Sequence, residues 1–267
     1  MGELLFVGLG LYDERDVSLR GIEEIREADA VFAELYTSLM PGLSIRKLEE
    51  LVGKRISVVS RSALEEEEGQ LILREAEVGK VALLVPGDPL IATTHLDLRI
   101  RAKRRGIETR VIHGASIVSA VIGLSGLQNY KYGRSVTIPF SEERFMSEVP
   151  YRVIKENTKM GLHTLCFLDI KAEEERYMTV SEGLRALLAV EKRKRKRVIT
   201  QDTLVVGIAR AGSKEPTVKA GYVEEVMRHN FGPLPHTLVF PGKLHFMEVE
   251  ALINLAEAPE EIRKKTR

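Results

Sequence analysis

Pro86-Gly-Asp-Pro89 closes a run of five apolar residues, 81–85, and is the stretch best suited to chemistry. A short, continuously apolar run predicts a strand buried on both faces. Pro86 cannot donate to a sheet ladder and ends the strand, and Gly87 permits a turn that other residues resist. Asp88 then reads as a helix N-cap with Pro89 at the first helical position. A strand-to-helix switch of this kind lies at the carboxyl edge of a sheet, where open α/β folds bind ligands. Free amides at a helix start suit the polar end of a small molecule. The same four residues would also serve a purely structural turn. Gly8-Leu-Gly10 allows a second close backbone approach, but Asp13 stands where a dinucleotide fingerprint needs its third glycine, so that pattern fails.

Other chemistry is thin. The six histidines, 95, 113, 163, 229, 236 and 245, are scattered, and His236 and His245 lie too far apart for a one-face helical pair. No metal is expected. His236, between Pro235 and the last strand, is placed to line a cleft. Cys166 lies inside an apolar run and reads as core. With one cysteine no disulfide framework can form, in keeping with a reducing cytoplasm. Lys192-Arg-Lys-Arg-Lys-Arg197 reads as a solvated helix end that could also attract RNA or an acidic partner.

The elements that must position these residues alternate. Strands are predicted at 4–7, 30–35, 56–59, 81–85 and 110–112, with helices from Ser18 and Ser44, at the acidic run 65–68, and from Asp88 to Gly106. That is a mostly parallel, doubly wound sheet. After His113-Gly-Ala-Ser116 the texture changes. Strands at 135–140, 162–168, 203–209, 218–222 and 237–240 carry period-2 polar alternation and predict a mixed sheet. Residues 117–124 form an apolar segment punctuated by glycines, and helices are expected at 148–159, after the Thr179-Val-Ser-Glu182 capping box, and through Phe246, Val249 and Ile253. The expected division is an N-terminal α/β domain, 1–112, and a C-terminal α/β domain, 113–267.

Composition bounds the partners. The chain has 267 residues and a formal net charge of +1, which exerts no global pull on nucleic acid or membrane. No apolar run approaches the roughly 20 residues of a bilayer span, and the N-terminus lacks the basic region of a secretory signal. Charged residues make up 30% against four Asn and three Gln, the balance of proteins from hot habitats.

Four segments occur together: Gly8-Leu-Gly-Leu-Tyr-Asp-Glu-Arg-Asp16, Ala33-Glu-Leu-Tyr-Thr-Ser38, Pro86-Gly-Asp-Pro-Leu-Ile-Ala-Thr-Thr-His95 and Leu238-Val-Phe-Pro-Gly-Lys-Leu-His245. The set resembles the diphthine synthases, methyltransferases of diphthamide biosynthesis within a broader tetrapyrrole-methylase-like group. The similarity extends to 161–171 and 204–213, hence to nearly the whole chain. Departures lie at 141–149 and 192–197, outside the motifs. The resemblance implies two α/β domains with S-adenosylmethionine in the cleft between them, a homodimer, and a cytoplasmic enzyme. It implies an acceptor on elongation factor 2, a histidine bearing a 3-amino-3-carboxypropyl group whose amine is methylated repeatedly. It places the cofactor at Leu11, Asp88, Ile91, Ser116, Ile117, Phe167, Ala211 and His236. The sulfonium is itself an activated leaving group, so no metal and no catalytic base are assigned. Asp13 and Tyr36 are candidates for the acceptor side, Tyr36 offering an aromatic face to a quaternary ammonium. The other function classes that fit are an RNA methyltransferase on the same fold and a non-catalytic nucleotide- or RNA-binding module.

Overall fold

The computed structural model describes residues 2–141 and 146–266. The chain divides into two compact units, 1–117 with 172–174, and 118–171 with 175–267.

In the first unit β1 (Glu3–Gly8), α1 (Leu19–Glu27), β2 (Ala30–Glu34), α2 (Ile45–Val52), β3 (Ser57–Val59), α3 (Arg61–Glu65), α4 (Gln70–Val78), β4 (Lys80–Val85), α5 (His95–Arg104) and β5 (Glu108–Ile112) follow in turn. The sheet order is β3-β2-β4-β1-β5 and every pairing is parallel. Successive residues of a strand point to opposite faces. In β1, Leu5 and Val7 join one core with Ile22, Ile25, Leu48 and Val52 of α1 and α2. Leu4 and Phe6 join the other, with Leu64, Ile72, Leu73 and Leu98 of α3, α4 and α5. Burial on both faces is why β1 and β4 are continuously apolar. The helices that follow β1 and β4, α1 and α5, pack on opposite faces of the sheet.

The helix boundaries follow local capping. Ser18 accepts from the Gly21 amide and Ser44 from that of Lys47. The acidic run does not start a helix as expected: Glu65 ends α3, and α4 begins only after Gly69, which takes a positive φ of 64°. The larger correction is at Asp88. It caps no helix and Pro89 is not a first helical residue; α5 begins at His95. Two features displace the start. Gly87 pairs back across the sheet edge with Gly10, donating to its carbonyl at 2.6 Å. Ala92 adopts a φ of +57°, which interrupts any helical run.

The second unit contains α6 (Ile117–Ser125), whose first residue belongs to the first unit, then β6 (Val136–Ile138), α7 (Val149–Lys159), β7 (Thr164–Leu168), β8 (Ile170–Lys171), β9 (Arg176–Tyr177), α8 (Val180–Lys194), β10 (Leu204–Ala209), β11 (Thr217–Tyr222), α9 (Val223–Arg228), β12 (His236–Phe240) and α10 (Phe246–Ala256). Its main sheet has the order β11-β10-β12-β7-β6, antiparallel except for the β6–β7 pair, and is therefore mixed. One face packs Cys166, Leu168, Val205 and Leu238 against Ile154, Leu184, Leu187 and Val226. Burial pushes the Cys166 thiol well above its ordinary range, so it is an inert core residue. The Thr179–Glu182 capping box starts α8 as expected, with reciprocal bonds of 2.8 and 3.3 Å. Among the described residues no helix is long and apolar enough to cross a membrane, and no group of three or more His, Cys, Asp or Glu could hold a metal ion.

Candidate functional site

Three glycines build the carboxyl edge of the first sheet. A Cβ on Gly114 would lie 2.4 Å from the Gly87 carbonyl oxygen and 2.9 Å from Gly8 Cα. A Cβ on Gly8 would lie 2.6 Å from the Gly114 amide nitrogen. The chain segments after β1, β4 and β5 therefore touch backbone to backbone. Gly87 has a φ of +72°, and its own side-chain direction is open, with nothing closer than the Ala115 carbonyl at 4.0 Å. A cradle of bare backbone facing open space suits a ligand that must approach the main chain closely.

The loops around this cradle are tied internally. Asp16 Oδ2 accepts the amides of Leu11 and Tyr12 at 3.0 and 2.7 Å. Asp13 caps a short helical turn and pairs with Arg15, which holds its carboxyl below the usual range. Asp88 opens an Asx turn: one oxygen accepts the Leu90 amide at 3.2 Å, and the other meets His113 Nδ1 at 2.7 Å. Ile91 is 44% exposed, an apolar side chain held out at this edge. Ser116 is half-buried and already has a polar partner, and Ile117 starts α6. Leu11, Asp88, Ile91, Ser116 and Ile117 thus all follow the carboxyl ends of three adjacent strands, β4, β1 and β5.

The second unit gathers the other three. Phe167 pairs with Thr237, the neighbour of His236, and His236 pairs with Ala209. Ala211 lies two residues beyond Ala209, in a turn closed by the Ser213 amide on the Arg210 carbonyl at 2.8 Å. All three occupy one edge of the mixed sheet. The His236 ring is fixed: the Val180 amide donates to Nδ1 at 3.4 Å, so Nε2 carries the proton toward the Gly232 and Pro233 carbonyls at 3.1 and 3.2 Å. Burial lowers its pKa, and the ring stays neutral. Ser213 Oγ, in the Ala211 turn, is buried and has no hydrogen-bond partner among the described residues.

Sequence reasoning missed the groups behind the first edge. Glu34, fully buried at the end of β2, accepts the amides of Tyr36 and Thr37, both at 3.1 Å, and the Thr37 hydroxyl at 2.5 Å. His95 is also buried; its Nδ1 donates to the Pro89 carbonyl at 3.3 Å, and its Nε2 lies 3.7 Å from Glu34. Burial raises the Glu34 pKa and lowers that of His95. The pair secures the loop after β2 and the loop after β4 from below. Tyr36 is buried, and the Arg61 guanidinium sits 5.1 Å from the ring centroid. A cation therefore already stacks on the ring assigned above to a product cation. Burial pushes its phenol well above the ordinary value. The only signal for Glu34 in the sequence was a carboxylate directly after four strand-forming residues.

The family model for tetrapyrrole (corrin/porphyrin) methylases matches residues 3–227. The diphthine synthase of Methanosarcina mazei is 50% identical over 264 residues, covering 97% of this chain and 98% of the relative. The chain belongs to the diphthine synthase family. A second member, from Methanocaldococcus jannaschii, is 46% identical over 95% of this chain and 99% of its own. A crystal structure of diphthine synthase superposes with a TM-score of 0.89 at 44% identity, covering 98% of each chain. The family is one of methyltransferases, and this chain carries its two-part α/β architecture throughout. Of the segments that depart from the family pattern, 142–145 lie outside the described residues.

Proposed function

We propose that this protein transfers methyl groups from S-adenosylmethionine to the amine of a 3-amino-3-carboxypropyl-histidine on elongation factor 2, the step that forms diphthine. What carries this reading is identity near 50% with named diphthine synthases over almost the whole of both chains, joined to a glycine-built ligand edge on the first sheet. The donor would bring a methyl group already activated on a sulfonium. Leu11, Asp88, Ile91, Ser116 and Ile117 of the first unit and Phe167, Ala211 and His236 of the second would hold it. The bare backbone beside Gly87 fits such a ligand.

The chain's own work is binding and orientation. Asp16 and Asp88 fix the two loops, so little ordering remains when ligand arrives. The acceptor amine must be neutral to attack, and a water-poor site lowers its pKa. Holding it in line with the methyl supplies most of the rate. The working unit in this reading is a homodimer of twice the 29.9 kDa chain mass, which sedimentation velocity would show. The decisive experiment incubates the protein and S-adenosylmethionine with elongation factor 2 carrying the unmethylated precursor and follows acceptor mass. Stepwise methyl additions on the modified histidine are expected. Transfer to RNA instead, or donor binding with no transfer, overturns the proposal.

A further inference from the structure

The net charge of +1 conceals a segregation. The second unit holds 24 Lys and Arg against 17 Asp and Glu, a net +7, and the first holds 16 against 22, a net −6. The excess is concentrated at the end of α8, where all six residues of Lys192–Arg197 are exposed.

What sets the run apart is the number of cations gathered in one exposed turn with little carboxylate beside them. Several other cations of the chain are laced to carboxylates: Arg101 to Asp97 and Glu68, Arg110 to Glu3 and Glu24, Lys80 to Glu24 and Glu27, and Arg263 to Glu250 and Glu260. Within the run only Lys194 is paired, to Glu148 at 2.6 Å. Among the described residues Lys192, Arg193, Arg195, Lys196 and Arg197 have no carboxylate within ion-pair distance. The acid that could neutralise them is spent on the backbone. Glu191 accepts the amides of Arg197, Val198 and Ile199 at 2.7, 2.7 and 3.1 Å and the Tyr151 hydroxyl at 2.7 Å. Arg195 and Arg197 take positive φ values of 52° and 55°, so the turn that carries the cations has a defined shape. Arg152 and Lys159 of α7 add two more exposed cations, on the helix that Tyr151 bonds to Glu191.

We propose that this basic turn is the docking surface for an acidic face of the protein acceptor. The inference rests on the function proposed above: a modified side chain on a large protein must be delivered to the site, and contacts away from the reacting atoms can do the steering. An acidic partner is drawn to the second unit and repelled by the first. The run contains no aromatic residue, so it lacks the stacking platform of single-strand RNA readers.

The test uses the full chain with Lys192→Ser, Arg193→Ser, Arg195→Asn, Lys196→Ser and Arg197→Asn, Asn being chosen because it tolerates positive φ. A second variant, Lys192→Glu with Lys196→Glu, leaves the turn backbone alone. The measurements are KM for precursor-bearing elongation factor 2 at about 50 and 300 mM salt, donor affinity by calorimetry, and acceptor association by interferometry, which needs no turnover. The expected result is unchanged donor affinity and kcat, with KM and acceptor Kd raised about tenfold at low salt. The wild-type dependence on salt should be steep and that of the variants flat. Acceptor Kd and KM at wild-type values with the same salt slope overturn the proposal. So does loss of poly(U) binding in the variants with acceptor binding intact, which would make the turn a nucleic-acid surface. Absence of transfer by the wild type, with acceptor still bound through the turn, would instead defeat the proposed reaction and leave the docking surface standing.

Discussion

Gly114→Ala is the sharpest test of the glycine edge. The new methyl would begin 2.4 Å from the Gly87 carbonyl oxygen, and real Cβ atoms essentially never approach another heavy atom closer than 3.0 Å. The loops after β4 and β5 must therefore part by at least about 0.6 Å. Both neighbours are backbone, so no side chain can rotate away. Overpacking of this kind costs roughly 1–3 kcal/mol. Carried by the fold, that lowers the melting temperature by about 2–4 °C per kcal/mol in a chain of this size class. Carried by the opened loops, it weakens donor binding, tenfold for each ~1.4 kcal/mol. Calorimetric titration with S-adenosylmethionine and a thermal melt read both. Gly123→Ala is the control, because its Cβ would meet nothing within 4 Å. Wild-type affinity together with a wild-type melt in folded Gly114→Ala would refute the close three-way approach.

Further tests probe the same framework. Asp88→Ala removes the acceptor for the Leu90 amide and the partner of His113; donor Kd should rise about tenfold or more, read by calorimetry, with little change in the far-ultraviolet spectrum. Glu248, fully buried, accepts from His163 Nε2 at 2.8 Å and pairs with Lys131; Glu248→Ala should cost about 3–5 kcal/mol in urea unfolding. Glu191 is held down to about 2, burial opposing and the Tyr151 hydroxyl and three backbone amides prevailing. A carboxyl depressed in the folded state stabilises above its unfolded pKa and loses that contribution as pH falls through its folded pKa. Melts of the wild type should therefore fall between about pH 4.5 and 2, and Glu191→Gln should be less stable at pH 7 and flatter across that window.

Much of the fold was legible because its signals are local. Ser18, Ser44 and Thr179 announce their helices by bonds that reach only three residues, and strands buried on two faces show as unbroken apolar runs. The failure at Asp88 has the opposite origin. Asp followed by Pro is sound helix-start grammar, but Gly87 is claimed by Gly10, 77 residues earlier in the chain, and no local pattern records that bond. Glu34 was invisible as a site group for the same reason: His95, beside it, is 61 residues away. The edge positions of Leu11, Asp88 and Ala211 could be anticipated from strand ends alone. What holds them there could not.

The pairing of β1 has a consequence for biosynthesis. Its two partners, β4 and β5, begin at Lys80 and Glu108. At roughly 5–20 residues per second, Leu4-Leu-Phe-Val7 leaves the ribosome several seconds or more before either of these strands exists to flank it. Until residue 112 emerges, β1 keeps an unpaired apolar edge. Parallel pairing over such separations is slow and exposed to aggregation. Nascent chains stalled before residue 80 should therefore be held by chaperones, and release should follow once β5 has cleared the exit tunnel.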